Sequence, residues 1–535
     1  SKAQLKYLVD DFEGMAEKQS DFKKEGIFSF GSAKITAQNT FTTGSGYSGH
    51  RSMMVNWSGR DKFGGWGIGL GRMVDLNPEE DYFNFYIYAP TSNKRNDSIK
   101  ISIEEDDNAN EKFEPAHDET WNFIANIKPA EDWQLISIPL QEFYPSGKGG
   151  DKIFNTGYKG GVIFSVIFTF SDSSAIHQGQ HWYFDFISFS KGPLPTGQNK
   201  LSPPPAHEQD YALLGAWSEE GNSGNFNKIA STFEGYFNQG INKKLGVVHL
   251  FQPFASGKDV NSNQYPSVSH LNEIISLGYV PMITLENHYV EVNKNHKQPN
   301  LYSIIEGHYD FLFYEWTERI KKVDGPVLIR ILHEFNGDWY PWCISQNENQ
   351  PWLYIEAYKR IVNFFKDHDV NNAKFVWCPN SMSIPQASWN YIMDAYPGDD
   401  YVDFVALDIY NGAGEKGIPT WRSFRKEGIE NYQLLTEKLP HKPLLICEIS
   451  SRERMPKETG AMQDKAGWIE QMAEALMTDF SKVRLIVWFN EYDNFKINSS
   501  EKAKKSFSKN VWQNSFFRSS DFDFIKNWSE LTTNE

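Results

Sequence analysis

The chain has 535 residues, of which 40% are apolar and 15% aromatic, with a net charge of −16. That length suits two domains rather than one. The acidic balance argues against nucleic acid, whose phosphates need a basic surface, and sits well with a neutral polymer as partner. No run of about 18 apolar residues exists, so no segment is expected to span a membrane.

Residues 1–192 carry a period-two rhythm with few helical stretches. Tyr82-Phe83-Asn84-Phe85-Tyr86-Ile87-Tyr88, Ile99-Lys100-Ile101-Ser102-Ile103, Gln134-Leu135-Ile136-Ser137-Ile138 and Val162-Ile163-Phe164-Ser165-Val166-Ile167-Phe168 read as strands. Short strands between Gly, Asn and Asp turns predict a β-sandwich. Asp11, Glu13 and Asp185 are candidate oxygen ligands for a structural Ca²⁺ at the sandwich edge, against the plainer reading of turn caps. Trp57, Trp66 and Trp121 are either sugar-stacking rings or core. A linker is expected over 193–210, where Ser202-Pro203-Pro204-Pro205 keeps the chain extended.

Residues 211–535 alternate strand and helix. Eight apolar strand runs are predicted: Leu213–Trp217, Gly246–Leu250, Val280–Leu285, Val327–Glu334, Lys374–Cys378, Phe404–Asp408, Leu444–Glu448 and Leu485–Phe489. Helical periodicity between them, clearest over Tyr354–His368 and Lys465–Phe480, predicts a (β/α)8 TIM barrel. A doubly wound sheet would want a Gly-rich phosphate turn after a strand, and none is present. The expected fold is therefore α/β, a barrel preceded by an all-β jelly-roll sandwich. Cys343, Cys378 and Cys447 show no metal spacing and read as buried thiols.

Two of the eight runs end in a carboxylate, Glu334 on the fourth and Glu448 on the seventh. Barrel strand ends share one face, so the pair is expected to meet there. Two carboxylates across one groove are what an acetal bond needs, one to protonate the leaving oxygen and one at the anomeric carbon. Other strand ends offer His249, Glu286-Asn287-His288, Asn380, Asp408, Tyr410, Trp488 and Glu491. His249 and His288 are either subsite linings or satisfied buried histidines. Glu334 also has a duller reading, as a salt-bridge partner of Arg330.

Arg330-Ile331-Leu332-His333-Glu334-Phe335-Asn336-Gly337-Asp338-Trp339 resembles the acid/base motif of glycoside hydrolase family 26. Asp408-Ile409-Tyr410 is similar to that family's Asp-x-Tyr. The resemblance covers residues 208–530. It implies Glu448 as nucleophile, Glu334 as acid/base, Tyr410 as a donor to Glu448, and His333, Arg330, Trp339 and Trp488 as substrate contacts; Trp342 and His288 stand beside these as further candidate contacts. It implies a retaining endo-β-glycanase with no catalytic cofactor and β-1,4-mannan as first substrate. Mixed-linkage β-1,3-1,4-glucan and β-1,3-xylan are the alternatives within the family, and a non-catalytic glycan-binding barrel is the rival class. One departure stands out: the family's mannanases follow the Trp with Phe-Trp-Trp, whereas this chain reads Tyr340-Pro341-Trp342. In the front domain, Asp10-Asp11-Phe12-Glu13-Gly14, Trp133–Leu140 and Trp182–Ile187 resemble a family 11 carbohydrate-binding module. The chain opens at Ser1 without Met, so a mature, secreted, periplasmic or surface-displayed protein is expected, acting on a polysaccharide as a monomer.

Overall fold

The computed structural model describes residues 3–16, 19–38, 51–93, 97–171, 179–194, 211–256, 266–290, 297–413, 418, 420–454 and 463–519. The expected linker thus lies, from residue 195 onward, outside the described residues. Two compact units emerge. The first comprises Ser1–Pro205 with Asn411–Gln433 and Arg454–Glu474; the second comprises Ala206–Tyr410, Leu434–Glu453 and Ala475–Glu535. A boundary drawn along the sequence does not anticipate the two later segments that group with the sandwich.

The first unit is built from β1 (Gln4–Asp10), β2 (Ile27–Phe30), β3 (Lys34–Gln38), β4 (Ser52–Trp57), β5 (Phe63–Arg72) and β6 (Asp81–Tyr88). It continues through β7 (Asp97–Asp106), β8 (Glu119–Ile127), β9 (Trp133–Pro139), β10 (Tyr144–Ser146), β11 (Val162–Ser171) and β12 (Gln180–Lys191). One antiparallel sheet has the order β3-β4-β12-β6-β9 with β1 paired to β12; the other has β10-β8-β7-β11-β5-β2. Alternation explains the packing. Ile99, Ile101 and Ile103 are buried while Ser98 and Lys100 on the opposite face are exposed. Trp57, Trp66 and Trp121 belong to this core, so they are not sugar platforms. Trp66, for instance, stacks on Phe168 at 4.9 Å.

The carboxylates expected to hold calcium are buried too. Asp11 accepts from Ser423 Oγ at 2.5 Å, Glu13 accepts from Gln471 Nε2 at 2.8 Å, and Asp185 accepts from the Phe186 N–H at 2.7 Å. Burial first, and the charges of Glu13 and Asp11 second, push the Asp185 carboxyl well above the carboxylate range. The three do not form one of the carboxylate groups whose ligand atoms all lie within 4.8 Å of one another.

The second unit is a closed parallel barrel of β13 (Ala212–Ser218), β14 (Val247–Ser256), β15 (Val280–Val290), β16 (Val327–Ile331), β17 (Ala373–Trp377), β18 (Phe404–Asn411), β19 (Leu444–Ser451) and β20 (Val483–Asn490). The strands follow chain order and β13 pairs with both β20 and β14, which closes the ring. All eight predicted runs are strands. Leu213, Val247, Met282, Leu328, Val376, Ala406, Leu445, Cys447, Leu485 and Val487 fill the interior. Because strand side chains alternate, the residues two further along these strands point into the mouth. The three cysteines are free and buried. No helix among the described residues is long and apolar enough to cross a membrane.

Candidate active site

The mouth is assembled by that alternation. Stepping two residues beyond Val247, Met282, Leu328, Val376 and Ala406 gives His249, Thr284, Arg330, Cys378 and Asp408, all fully buried or nearly so. Arg330 is the hub. Its Nε donates to Thr284 Oγ1 at 2.8 Å, Nη1 donates to both Asp408 oxygens at 2.7 Å, and Nη2 donates to Glu448 Oε2. Burial alone would lower the Arg330 pKa, but the carboxylates of Asp408 and Glu448 outweigh it and hold the guanidinium charged. The Arg330 expected as a substrate contact is therefore sealed beneath the site, where it orients the carboxylates.

Glu448 takes a second bond from Tyr410, whose hydroxyl donates to Oε1 at 2.5 Å. Both donors aim at one carboxyl group, which fixes its position. The strand register is irregular between Ile446 and Ile449. That break accounts for Glu448 reaching the mouth although its neighbour Cys447 faces the interior.

Glu334 arrives differently. Strand β16 stops at Ile331, and Leu332 and Glu334 adopt left-handed φ values of 49° and 54°. Such conformations in residues other than glycine persist only when the surroundings hold them. The surroundings do so: the Glu334 N–H donates to the Cys378 carbonyl at 2.8 Å, and the following Asn336 donates to the Asn380 carbonyl and accepts from the Asn380 N–H. Trp339 donates from Nε1 to Glu334 Oε2 at 3.4 Å and is 44% exposed, with its ring lying over Gly337, where a Cβ would come within 2.5 Å of it.

His333, Glu334, Asp408 and Glu448 converge, each offering a ligand atom within 4.8 Å of the others. His333 Nε2 lies 3.6 Å from Glu334 Oε2 and 3.8 Å from Glu448 Oε2. Burial, then the charge of Arg330, drives the His333 pKa well below its ordinary value, so the ring is neutral. Burial first, and the charge of Glu448 second, push the Glu334 carboxyl from 4.5 to about 8. At neutral pH this leaves Glu334 protonated beside Glu448. A mononuclear metal would find oxygen and nitrogen donors in this group, but Arg330 already neutralises two of its three carboxylates.

A cleft of about 470 Å³ opens onto the group, lined by Trp217, Phe251, Glu286, His288, Tyr340, Glu448, Phe489, Glu491 and Tyr492 among others. His288 lines it and bonds Glu286 Oε2 at 2.7 Å, whereas His249 is sealed below on Thr284 Oγ1 at 2.6 Å. Two of the expected rings are not on this surface. Trp342 is buried behind Tyr340, stacked on it at 4.3 Å with its Nε1 on the His333 carbonyl. Trp488 faces out of the barrel, where Nε1 donates to the Phe495 carbonyl and the ring meets Phe507. It neighbours Val487, an interior residue, so alternation turns it the other way and brings Phe489 to the cleft instead. Phe489 packs edge-on against Tyr410 at 5.7 Å. Trp217, Phe251 and Phe489 carried no signal as site residues. The interior parity of Val247 and Val487 is what locates Phe251 and Phe489.

Residues 276–435 match the model of glycosyl hydrolase family 26. Endoglucanase H of Acetivibrio thermocellus is 34% identical over 209 residues, covering 38% of this chain and 22% of that protein. A mannan endo-1,4-beta-mannosidase of Bacillus subtilis is 37% identical over 90 residues, covering 16% of this chain and 23% of that protein. The chain thus spans about a fifth of the length of these relatives. A family 11 carbohydrate-binding module from Clostridium thermocellum, solved with a β-1,3-1,4-mixed-linked tetrasaccharide, aligns with 36% of this chain and 97% of its own at 19% identity and a TM-score of 0.25. The likeness to glycosyl hydrolase family 26 thus rests on residues 276–435, the stretch that holds Arg330, His333, Glu334 and Asp408.

Proposed function

We propose that this protein is a retaining endo-β-glycanase that cleaves internal bonds of a hemicellulose-type polysaccharide. The observation that carries the reading is the carboxylate pair. Glu334 and Glu448 offer oxygens within 4.8 Å, the first carboxyl held protonated and the second fixed by hydrogen bonds from Arg330 and Tyr410. Such closeness suits attack by a carboxylate rather than by an intervening water, since inverting pairs stand about 6.5–9.5 Å apart.

In the first step Glu448 attacks the anomeric carbon, the glycosidic C–O bond breaks, and the leaving oxygen takes the Glu334 proton. Esterification removes the Glu448 charge, which is the second cause of the raised Glu334 pKa. Glu334, now ionised, takes a proton from water as that water attacks, and the ester bond to Glu448 breaks. Neutral His333 sits between the two oxygens and can offer one N–H to a sugar hydroxyl or a carboxylate. Trp339 presents an exposed ring beside the acid/base.

Two backbones compete, each on its own observation. A β-glucan containing 1,4-linkages, mixed-linkage glucan first, is favoured by the cleft wall and by the 209-residue likeness to Endoglucanase H. Tyr340 stands where the mannanase pattern has Phe, and it lines the cleft near Glu286, Glu334 and Glu448. Its hydroxyl adds a donor beside the sugar that meets the nucleophile, where glucose and mannose differ only in the direction of the 2-hydroxyl. β-1,4-Mannan is favoured by several mannan endo-1,4-beta-mannosidases among the shorter matches. Action outside the cell on a polymer agrees with both.

Reducing-sugar release from lichenan, β-glucan, mannan and β-1,3-xylan tests the reading. Glu334→Gln and Glu448→Gln are each expected to lose roughly 10³-fold or more in kcat while still binding polysaccharide. Unchanged turnover in either retires the assignment, and an α-configured first product seen by NMR retires retention. Tyr340→Phe should lower the ratio of glucan to mannan turnover; a ratio that does not move removes the basis for placing glucan first.

A further inference from the structure

A tryptophan left in water forfeits a large apolar burial, and among the described residues two are exposed, Trp339 at 44% and Trp352 at 51%. The first lies beside Glu334. The second closes the same connection: the chain leaving β16 carries Trp339 and runs into the helix Pro351–Asp367, of which Trp352 is the second residue. In a (β/α)8 barrel the strand-to-helix connections share the face where the strands end, so Trp352 stands on the rim of the face that holds the cleft. Tyr302 joins it from the connection between β15 and β16. The Tyr302 ring is 38% exposed and meets Trp352 edge-on with centroids 6.4 Å apart, and its hydroxyl donates to Glu348 Oε2 at 3.3 Å.

The backbone beneath both rings is held in place. Leu301 and Leu353, the sequence neighbours of Tyr302 and Trp352, are fully buried and pin the two helix starts. Asn347, also buried, ties the two connections together. Its Oδ1 accepts from the Leu301 N–H at 2.9 Å, while Nδ2 donates to the carbonyls of Pro341 and Cys343 at 2.9 and 2.8 Å. Asn300 and Ser303 cap the helix Leu301–Ile305 reciprocally. Glu348 and Asn349 take left-handed φ values of 58° and 55°, which residues other than glycine keep only where their surroundings fix them. Pro341 itself lies between Tyr340 and Trp342 in the cleft wall, so the ring pair and the cleft belong to one clamped segment. Single exposed apolar residues are ordinary on a protein surface. Two touching rings on a fixed backbone, with an exposed carboxylate at their edge, offer flat apolar faces to pyranose C–H groups and an acceptor to their hydroxyls.

We propose that Tyr302, Trp352 and Glu348 form a second sugar-binding platform, outside the cleft, that grips a distant stretch of the same polysaccharide chain. Glu348 at its edge and the net charge of −16 favour an uncharged polymer over an anionic one. Rings already held in position lose little freedom on binding, which suits a weak site that acts by adding to the grip of the cleft. The inference rests on the reading of the protein as a polysaccharide hydrolase, and its test separates the two.

The test compares the full chain on soluble mixed-linkage β-glucan and glucomannan with the same chain on tetrasaccharides cut from them. Trp352→Ala and Tyr302→Ala should each raise KM on polymer roughly 3- to 10-fold and leave kcat on polymer and both constants on the tetrasaccharides unchanged. Both variants should melt within about 2 °C of wild type, because the rings are exposed. Trp352→Phe keeps a flat ring and should recover most of the lost affinity. In affinity electrophoresis through either polymer, Glu334→Gln should be retarded more than the double variant that also carries Trp352→Ala; anything the sandwich binds is common to both and cancels. Polymer KM and retardation that do not respond to the rings overturn the platform, as a surface that docks another protein would have it, while turnover leaves the hydrolase reading standing. An equal loss on polymer and tetrasaccharide puts the rings inside the cleft and also overturns it. A wild type without turnover on any polymer defeats the hydrolase reading instead, and the difference in retardation then decides alone whether the rings hold sugar.

Discussion

Replacing Glu334 by Gln should raise stability and abolish activity, and the size of the gain should depend on pH. The Glu334 carboxyl is 6% exposed, and burial followed by the charge of Glu448 moves it from 4.5 to about 8. An acid raised in this way takes up a proton on folding. Its contribution to stability is fully present below about 4.5, declines above it, and is gone once the pH has passed about 8. At about 1.4 kcal/mol per pH unit, that gap sets a ceiling of ~5 kcal/mol, and relaxation around the ionised group should reduce it to roughly half. Glutamine keeps the shape and stays neutral. Calorimetric Tm values of wild type and Glu334→Gln should therefore coincide near pH 4.5 and separate by roughly 2–4 °C at pH 9, with the variant higher. The same ionisation should end catalysis, so wild-type kcat/KM should fall on the alkaline side with an apparent pKa near 8. A Tm difference that stays constant with pH, or shrinks as pH rises, would refute the account of the raised carboxyl.

Tyr410→Phe removes one of two donors to Glu448 while Arg330 remains, so kcat/KM should drop by roughly 10- to 100-fold with little change in Tm. Trp339→Ala should raise KM on polymer more than it lowers Tm, because the ring is exposed beside Glu334, whereas Trp488→Ala should lower Tm sharply and leave KM of the surviving folded protein near wild type. Arg330→Met leaves Asp408 and Glu448 buried without their cation, at a cost of ~3–5 kcal/mol near pH 7; melting at pH 4, where carboxyls take up protons, should show a smaller loss.

The barrel was legible because each of its strands is an apolar run bounded by helical periodicity. Glu334 and Glu448 were legible because a carboxylate at the end of such a run has no packing reason to be there. What escaped is which way each aromatic faces. Strand β20 is apolar on both sides, one toward the barrel interior and one toward the helices, so Val487, Trp488 and Phe489 show no alternation that would tell them apart. Trp57, Trp66 and Trp121 posed the same question in the sandwich, and burial answered it. The left-handed backbone at Leu332 and Glu334 also left no trace, since neither position is a glycine. The Arg330 motif was visible, but its partners come from β15, β18 and β19, which only the closed ring brings together.

The paired rings of Tyr340 and Trp342 give this cleft a wall of two leaves, an outer one that faces the cleft and an inner one that props it and steadies His333. For a protein engineer the two leaves are unequal handles. Exchanging the outer ring should retune which monosaccharide is welcomed at little structural risk, while touching the inner one loosens the histidine and so blunts catalysis on every polymer alike.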